Sequence, residues 1–155
     1  MFRHDAARSG ASTSPIPSRA AKKWTANIGG KLTQPVIAGG KVFLASVDTH
    51  TVHALSAGDG KQVWQFTTGG RIDSSPTIYK GSVLVGSADG WLYCLRAADG
   101  ELAWRFQAAP TDRLVNVYGQ LESAWPVHGS VMVQNDTIYV TAGRSSYMDG
   151  GIVLY

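Results

Sequence analysis

The chain has 155 residues, 44% hydrophobic and 16% charged, which fits a folded chain and excludes an intrinsically disordered one. Its net charge of +3 is uneven: residues 1–23 carry Arg3, Arg8, Arg19, Lys22 and Lys23 against Asp5, while the rest is close to neutral, which argues against a basic nucleic-acid-binding face. The single cysteine, Cys94, excludes an internal disulfide, and no stretch reaches the about 20 apolar residues of a membrane-spanning helix.

Residues 1–23 read as a basic, solvated N-terminal arm. Phe2-Arg3-His4-Asp5 is polar at once, so no apolar core of an export signal is visible. From Trp24 onward the chain repeats. Trp24, Trp64 and Trp104 lie 40 residues apart, and Ala54-Leu55-Ser56-Ala57-Gly58-Asp59-Gly60-Lys61-Gln62-Val63-Trp64 aligns with Cys94-Leu95-Arg96-Ala97-Ala98-Asp99-Gly100-Glu101-Leu102-Ala103-Trp104. A fixed period of this length marks a repeat architecture.

The first unit, 24–66, holds strand-like runs at Gln34–Ile37, Lys41–Ser46, Thr51–Ser56 and Lys61–Phe66. The second, 67–106, holds them at Ser75–Tyr79, Ser82–Ser87, Trp91–Arg96 and Glu101–Phe106. Glycine-bearing turns such as Gly58-Asp59-Gly60 and Ala98-Asp99-Gly100 separate them, and Asp-Gly before a β-rich run is a hairpin signal. No run keeps a 3.6-residue period. Pro35 and Pro76 stand at the head of each unit's first strand, where no ladder donor is required. Four-stranded antiparallel units of this size predict an all-β fold built from β-propeller blades. Trp64 and Trp104 are expected to fill the gap between blades, each indole N–H reaching a neighbouring carbonyl, with Ala54, Gly60 and Gly100 completing the docking positions. Cys94 reads as a small buried hydrophobe. Trp91, Tyr93 and Tyr139 read as blade packing.

The third unit, 107–155, breaks the beat. Ser130–Gln134 and Thr137–Ala142 match the first two strands, but 15 extra residues precede them, and the loop Gly143–Gly150 is enlarged. The chain ends within the third strand, so about two and a half blades are expected, an incomplete propeller belonging to a longer parent chain. Trp24 has Ala20-Ala21 before it where the other units have Gly and a charged residue. It is expected on the outer strand of a blade closed by the far end of that parent.

The blocks ending at Trp64 and Trp104 resemble the PQQ-like (pyrroloquinoline quinone) repeat. Ala54, Gly60, Lys61 and Trp64 match it in one block, and Gly100 and Trp104 in the other. Ser56, Arg96, Asp59, Asp99 and Cys94 depart from it. Met1–Gly10 is similar to a segment that precedes the first blade in bacterial propellers of this kind. The resemblance implies a BamB-like or quinoprotein alcohol dehydrogenase-like propeller of the periplasm or cell envelope.

Loops on a rigid scaffold concentrate binding groups. In an up-and-down blade, the interblade connection and the second-to-third-strand loop emerge at one end. The enlarged loops 107–129 and 143–150 therefore share a face, and they supply Arg113, Tyr118, Glu122, Trp125, His128, Arg144, Tyr147 and Asp149 as candidate ligand contacts. The competing expectation is that these residues only pair with one another. His50 and His53, three apart, point to opposite faces of a strand and do not read as a metal pair. No catalytic, cofactor or metal-binding residue is assigned. The expected function is a non-catalytic binding or scaffold module of an exported bacterial protein, engaging a protein or small ligand through one face. The alternative is part of a PQQ-dependent quinoprotein dehydrogenase oxidising alcohols or sugars, with PQQ and calcium as cofactors. A third reading is the sensor ectodomain of a membrane kinase.

Overall fold

The computed structural model describes residues 10, 11, 13, 15 and 18–155. Arg3, Arg8 and, Gly10 apart, the segment Met1–Gly10 lie outside the described residues. Two four-stranded antiparallel sheets follow the repeat. The first runs in the order β1 (Val36–Ala38), β2 (Lys41–Ser46), β3 (Thr51–Ser56) and β4 (Gln62–Thr67). The second has the same order in β5 (Thr77–Tyr79), β6 (Ser82–Gly86), β7 (Trp91–Arg96) and β8 (Leu102–Gln107). These are the eight runs read from sequence, three with the same bounds and the others with ends shifted by at most two residues. Pro35 and Pro76 stay just outside the ladders. The repeat extends to its irregularities. Each sheet shifts register between the third and fourth strands, at Ala54/Leu55 and at Cys94/Leu95, and Ala54 opposes Trp64 as Cys94 opposes Trp104. No helix occurs among the described residues, so none is long and apolar enough to cross a membrane.

A blade is apolar on both faces and must be covered on both. One core cluster joins Phe43, Val52 and Trp64 of the first blade to Ile72, Val83 and Tyr93 of the second. The next joins Leu84, Leu92 and Cys94 to Val127, Val131 and Val140 of the third. Burial pushes the Cys94 thiol pKa upward, as expected of a packed, unreactive cysteine. On the outer side of the first blade, Trp24, Ala26 and Ile28 pack on Val42, Leu44 and Leu55. Alternate burial along 24–28 is the two-residue period of a strand, and this segment covers the first blade as β4 covers the second.

The tryptophans explain the 40-residue beat. Trp64 Nε1 donates to Ala97 O at 3.1 Å, and Trp24 Nε1 donates to Ala57 O at 3.1 Å. Beneath each ring lies a glycine of positive φ. A Cβ on Gly100 (φ 80°) would lie 2.6 Å from Trp64, and one on Gly60 (φ 73°) 2.5 Å from Trp24. Trp64 is 7% exposed, whereas Trp104 is 40% exposed and has no such glycine beneath it among the described residues. Trp104 instead borders an apolar groove with Leu92, Phe106, Ile138, Val140 and Tyr155.

The third unit differs from its sequence reading. Its extra residues are not plain loop: β9 (Leu114–Val117) and β10 (Gln120–Ser123) form a hairpin. The blade proper begins with β11 (Met132–Gln134) and β12 (Thr137–Tyr139), joined by Asn135 and Asp136, both at positive φ. Such a turn matches strand twist. At Val140 the second strand changes partner and continues as β13 (Thr141–Ala142) against β14 (Val153–Leu154).

Candidate ligand face

The sequence builds the inserted hairpin locally. Leu114-Val115-Asn116-Val117 and Gln120-Leu121-Glu122-Ser123 flank a two-residue turn, Tyr118 (φ 51°) and Gly119 (φ 78°). One side of the ribbon carries Val115, Val117, Gln120 and Glu122, partly or fully covered. The other carries Leu114, Asn116 and Leu121, exposed. His50 Nε2 donates to Gln120 Oε1 at 3.0 Å, which ties the ribbon to the first blade. Ser123 N–H donates to Ala88 O at 2.7 Å, which ties it to the second. Gly90 (φ 89°) admits this approach, since a Cβ there would lie 2.5 Å from Ala109 and 2.9 Å from Ser123 Oγ.

Beneath the ribbon runs a chain of alternating charges. Glu122 is fully buried. Its Oε2 accepts from Arg144 Nη2 at 2.8 Å, and its Oε1 lies 3.3 Å from Arg71 Nη2. Arg71 Nε is 3.0 Å from Asp73 Oδ1, and Asp73 Oδ2 accepts from His128 Nδ1 at 2.5 Å. The His128 hydrogen bond, followed by the charges of His128 and Arg71, holds the Asp73 carboxyl below its ordinary pKa. A second group sits beside it. Arg113 Nη1 donates to Asp149 Oδ1 at 2.6 Å, and Trp125 Nε1 donates to Asp149 O at 2.6 Å.

The structure thus brings the enlarged loops together. Arg113, Trp125 and Asp149 form one group and Glu122 and Arg144 another. His128 pairs with Asp73 and joins the second group through Arg71. Tyr118 stands 91% exposed at the hairpin tip with the Arg71 guanidinium 5.9 Å from its ring, and Tyr147, 96% exposed, joins none of these pairs. Most of the charged candidates are therefore engaged with one another, and what the face presents outward is Tyr118, Leu121, Leu114, Tyr147 and Met148. Glu122, with two guanidinium neighbours, offers no surplus negative charge to a hard cation. Sequence reasoning missed Arg71, Asp73 and Gln120. Arg71 and Asp73 lie in the first interblade connection, which the same up-and-down topology places at this end. Gly69 and Gly70 let that connection pass against Asp89, where a Cβ on either would lie at 2.5 Å.

Residues 7–146 match the family model described as outer membrane protein assembly factor BamB. The outer membrane protein assembly factor BamB of Yersinia pestis is 31% identical over 80 residues, covering 52% of this chain and 20% of that protein. Among solved structures, the quinohaemoprotein alcohol dehydrogenase ADHIIG from Pseudomonas putida HK5 superposes with a TM-score of 0.64 at 19% identity, over 78% of this chain and 18% of that one. BamB from Moraxella catarrhalis superposes with a TM-score of 0.52 at 23% identity, over 70% and 29%. The two superpositions establish a shared fold. The chain spans about a fifth of the length of the Yersinia relative.

Proposed function

The chain belongs to the family of the outer membrane protein assembly factor BamB, and we propose that it is a non-catalytic propeller module of the bacterial cell envelope that docks a protein partner in outer-membrane protein assembly. The family match carries this reading, since residues 7–146 take in both complete blades and the inserted hairpin. The docking face we assign is the outer side of β9–β10 with the 143–150 loop. It exposes Tyr118, Leu121 (66%), Leu114 (55%), Tyr147 and Met148 (56%) on a base pinned by buried ion pairs. Apolar side chains grouped on a rigid surface mark interaction sites, and tyrosine is a frequent anchor. We place the protein in the periplasm on the same grounds.

Tyr118→Ala combined with Leu121→Arg in the full-length protein tests the reading in the cell that encodes it. These side chains are exposed, so the thermal midpoint should stay unchanged while assembled outer-membrane β-barrels fall towards the level of a deletion strain. Undiminished assembly would remove the face from the function. The dehydrogenase alternative rests on a likeness of fold alone. It calls for dye-linked alcohol or sugar oxidation after PQQ and calcium are added, and we expect none.

A further inference from the structure

The inserted hairpin has two edges, and the fold uses one of them. Bonded pairs alternate along an antiparallel ladder. Arg113 O accepts from Ala124 N–H at 2.9 Å, and the register then makes Val115 with Glu122 and Val117 with Gln120 the bonded pairs. Ser123 therefore turns its N–H away from β9, and it donates to Ala88 O at 2.7 Å. On β9, Leu114 and Asn116 turn their N–H and C=O groups away from β10 in the same way. Among the described residues β10 is the only strand paired with β9, and no backbone bond from a loop reaches Leu114 or Asn116. The Asn116 carboxamide is taken up by Gly119 N–H at 3.1 Å.

The other sheet edges among the described residues carry features that discourage pairing, namely bulges, prolines or very short strands. The outer strands β4 and β8 are bulged. Their register passes from Trp64 to Gln62 and from Trp104 to Leu102, leaving Val63 and Ala103 unopposed, and a bulge bends and twists its strand. The inner strands β1 and β5 are three residues long and directly preceded by Pro35 and Pro76. β11 and β12 have three residues each, and β13 and β14 two. β9 differs. Its four residues, Leu114–Val117, stay in unbroken register and include no charge, proline or bulge. Its outward groups are two N–H donors and two C=O acceptors along one strand edge, and their complement is the backbone of another extended polypeptide. The side chains beside that edge, Leu114 and Leu121, are exposed and apolar.

We propose that β9 is a strand-addition site. The partner protein supplies an extended segment that hydrogen-bonds to Leu114 and Asn116 and makes the ribbon three-stranded. Apolar residues at alternate positions of that segment lie beside Leu114 and, diagonally, Leu121. A helix laid on Tyr118 and Leu121 would have no backbone groups to offer this edge, since its own are bonded within it. Strand addition rests on the docking role assigned to the hairpin and specifies the form the partner takes there.

Photocrosslinking of the full-length protein in intact bacteria tests this, with a photoreactive residue at position 114, 116 or 118 in turn and the adducts mapped by mass spectrometry. Positions 114 and 116 should mark partner residues two apart in sequence, as neighbouring strands require. Leu114→Pro deletes an N–H that faces away from β10, and proline is tolerated at such an edge, so the thermal midpoint should stay unchanged. Leu114→Val keeps that N–H. With the photoreactive residue at 118, Leu114→Pro should give an adduct yield at least about fivefold below that of Leu114→Val, as expected for a lost hydrogen bond. If the proline loosens the ribbon, the mapped spacing decides. Marked residues three or four apart, marked residues without regular spacing, or equal yields from the two folded variants would overturn strand addition while leaving the docking face in place. Adducts joining two copies of this chain would assign the edge to self-association and overturn it too. No adduct from position 118 would remove the docking role, and strand addition with it.

Discussion

The repeated contact of this molecule is a tryptophan ring laid on a glycine. The ring needs the missing Cβ twice over: the backbone at Gly100 has positive φ, which disfavours L side chains, and the space a Cβ would take is filled by Trp64. Trp64→Ala removes a buried indole and should cost about 3–5 kcal/mol. Gly100→Ala should also destabilise, through strain and displacement of the ring. Because both changes break one contact, urea denaturation of the double variant should show less than the summed loss. Strict additivity would mean that the ring and the glycine do not act together. Glu122 is the other decisive residue. Glu122→Ala leaves the poorly exposed Arg144 guanidinium without its anion and Arg71 with Asp73 alone, and should cost about 3–5 kcal/mol. A loss below about 1 kcal/mol would show that Arg71 and Arg144 find water instead. Asp73 sets a pH dependence. Its pKa is depressed in the fold by His128, so its contribution is fully present above the unfolded value, about 3.9. It fades as pH falls through that value towards the folded one. Asp73→Asn should flatten the acid limb of the stability curve, and an unchanged acid limb would contradict the clamp.

At the scale of elements, the inserted hairpin is a local structure fastened by distant residues. Its turn needs positive φ at Gly119, 78°, so Gly119→Val should loosen the ribbon. Hydrogen exchange should quicken across 114–123 while β2, β3, β6 and β7 keep their protection. Equal quickening in those strands would mean that the ribbon and the blades open as one unit. The eight blade strands were legible because alternation, Asp-Gly turns and the tryptophan beat are all local and occur twice. The hairpin was legible too, since two four-residue alternating runs flank Tyr118-Gly119, but the absence of a counterpart in the other units made it read as loop. The charge chain was not legible. Glu122 lies 51 residues from Arg71 and 22 from Arg144, and only the stacking of blades brings them together. The shared end of the two enlarged loops followed from strand direction alone. The pairing of Arg113 with Asp149 and of Glu122 with Arg144 did not.

The whole molecule is a row of like interfaces. Residues 24–28 cover the first blade, the first covers the second, and the second covers the third. A near-neutral body leaves the character of each surface to its own side chains, and the hairpin end combines a rigid ionic base with exposed tyrosine and leucine. That combination is the physical content of the docking role we assign within the BamB family. Photocrosslinking in intact bacteria tests it most directly, with a photoreactive residue replacing Tyr118 in the full-length protein and, for comparison, replacing Ile37, which is 73% exposed on β1. The account predicts an adduct with a component of the outer-membrane protein assembly machinery from position 118 and none from position 37. No such adduct from 118, or equal adducts from both positions, would contradict it.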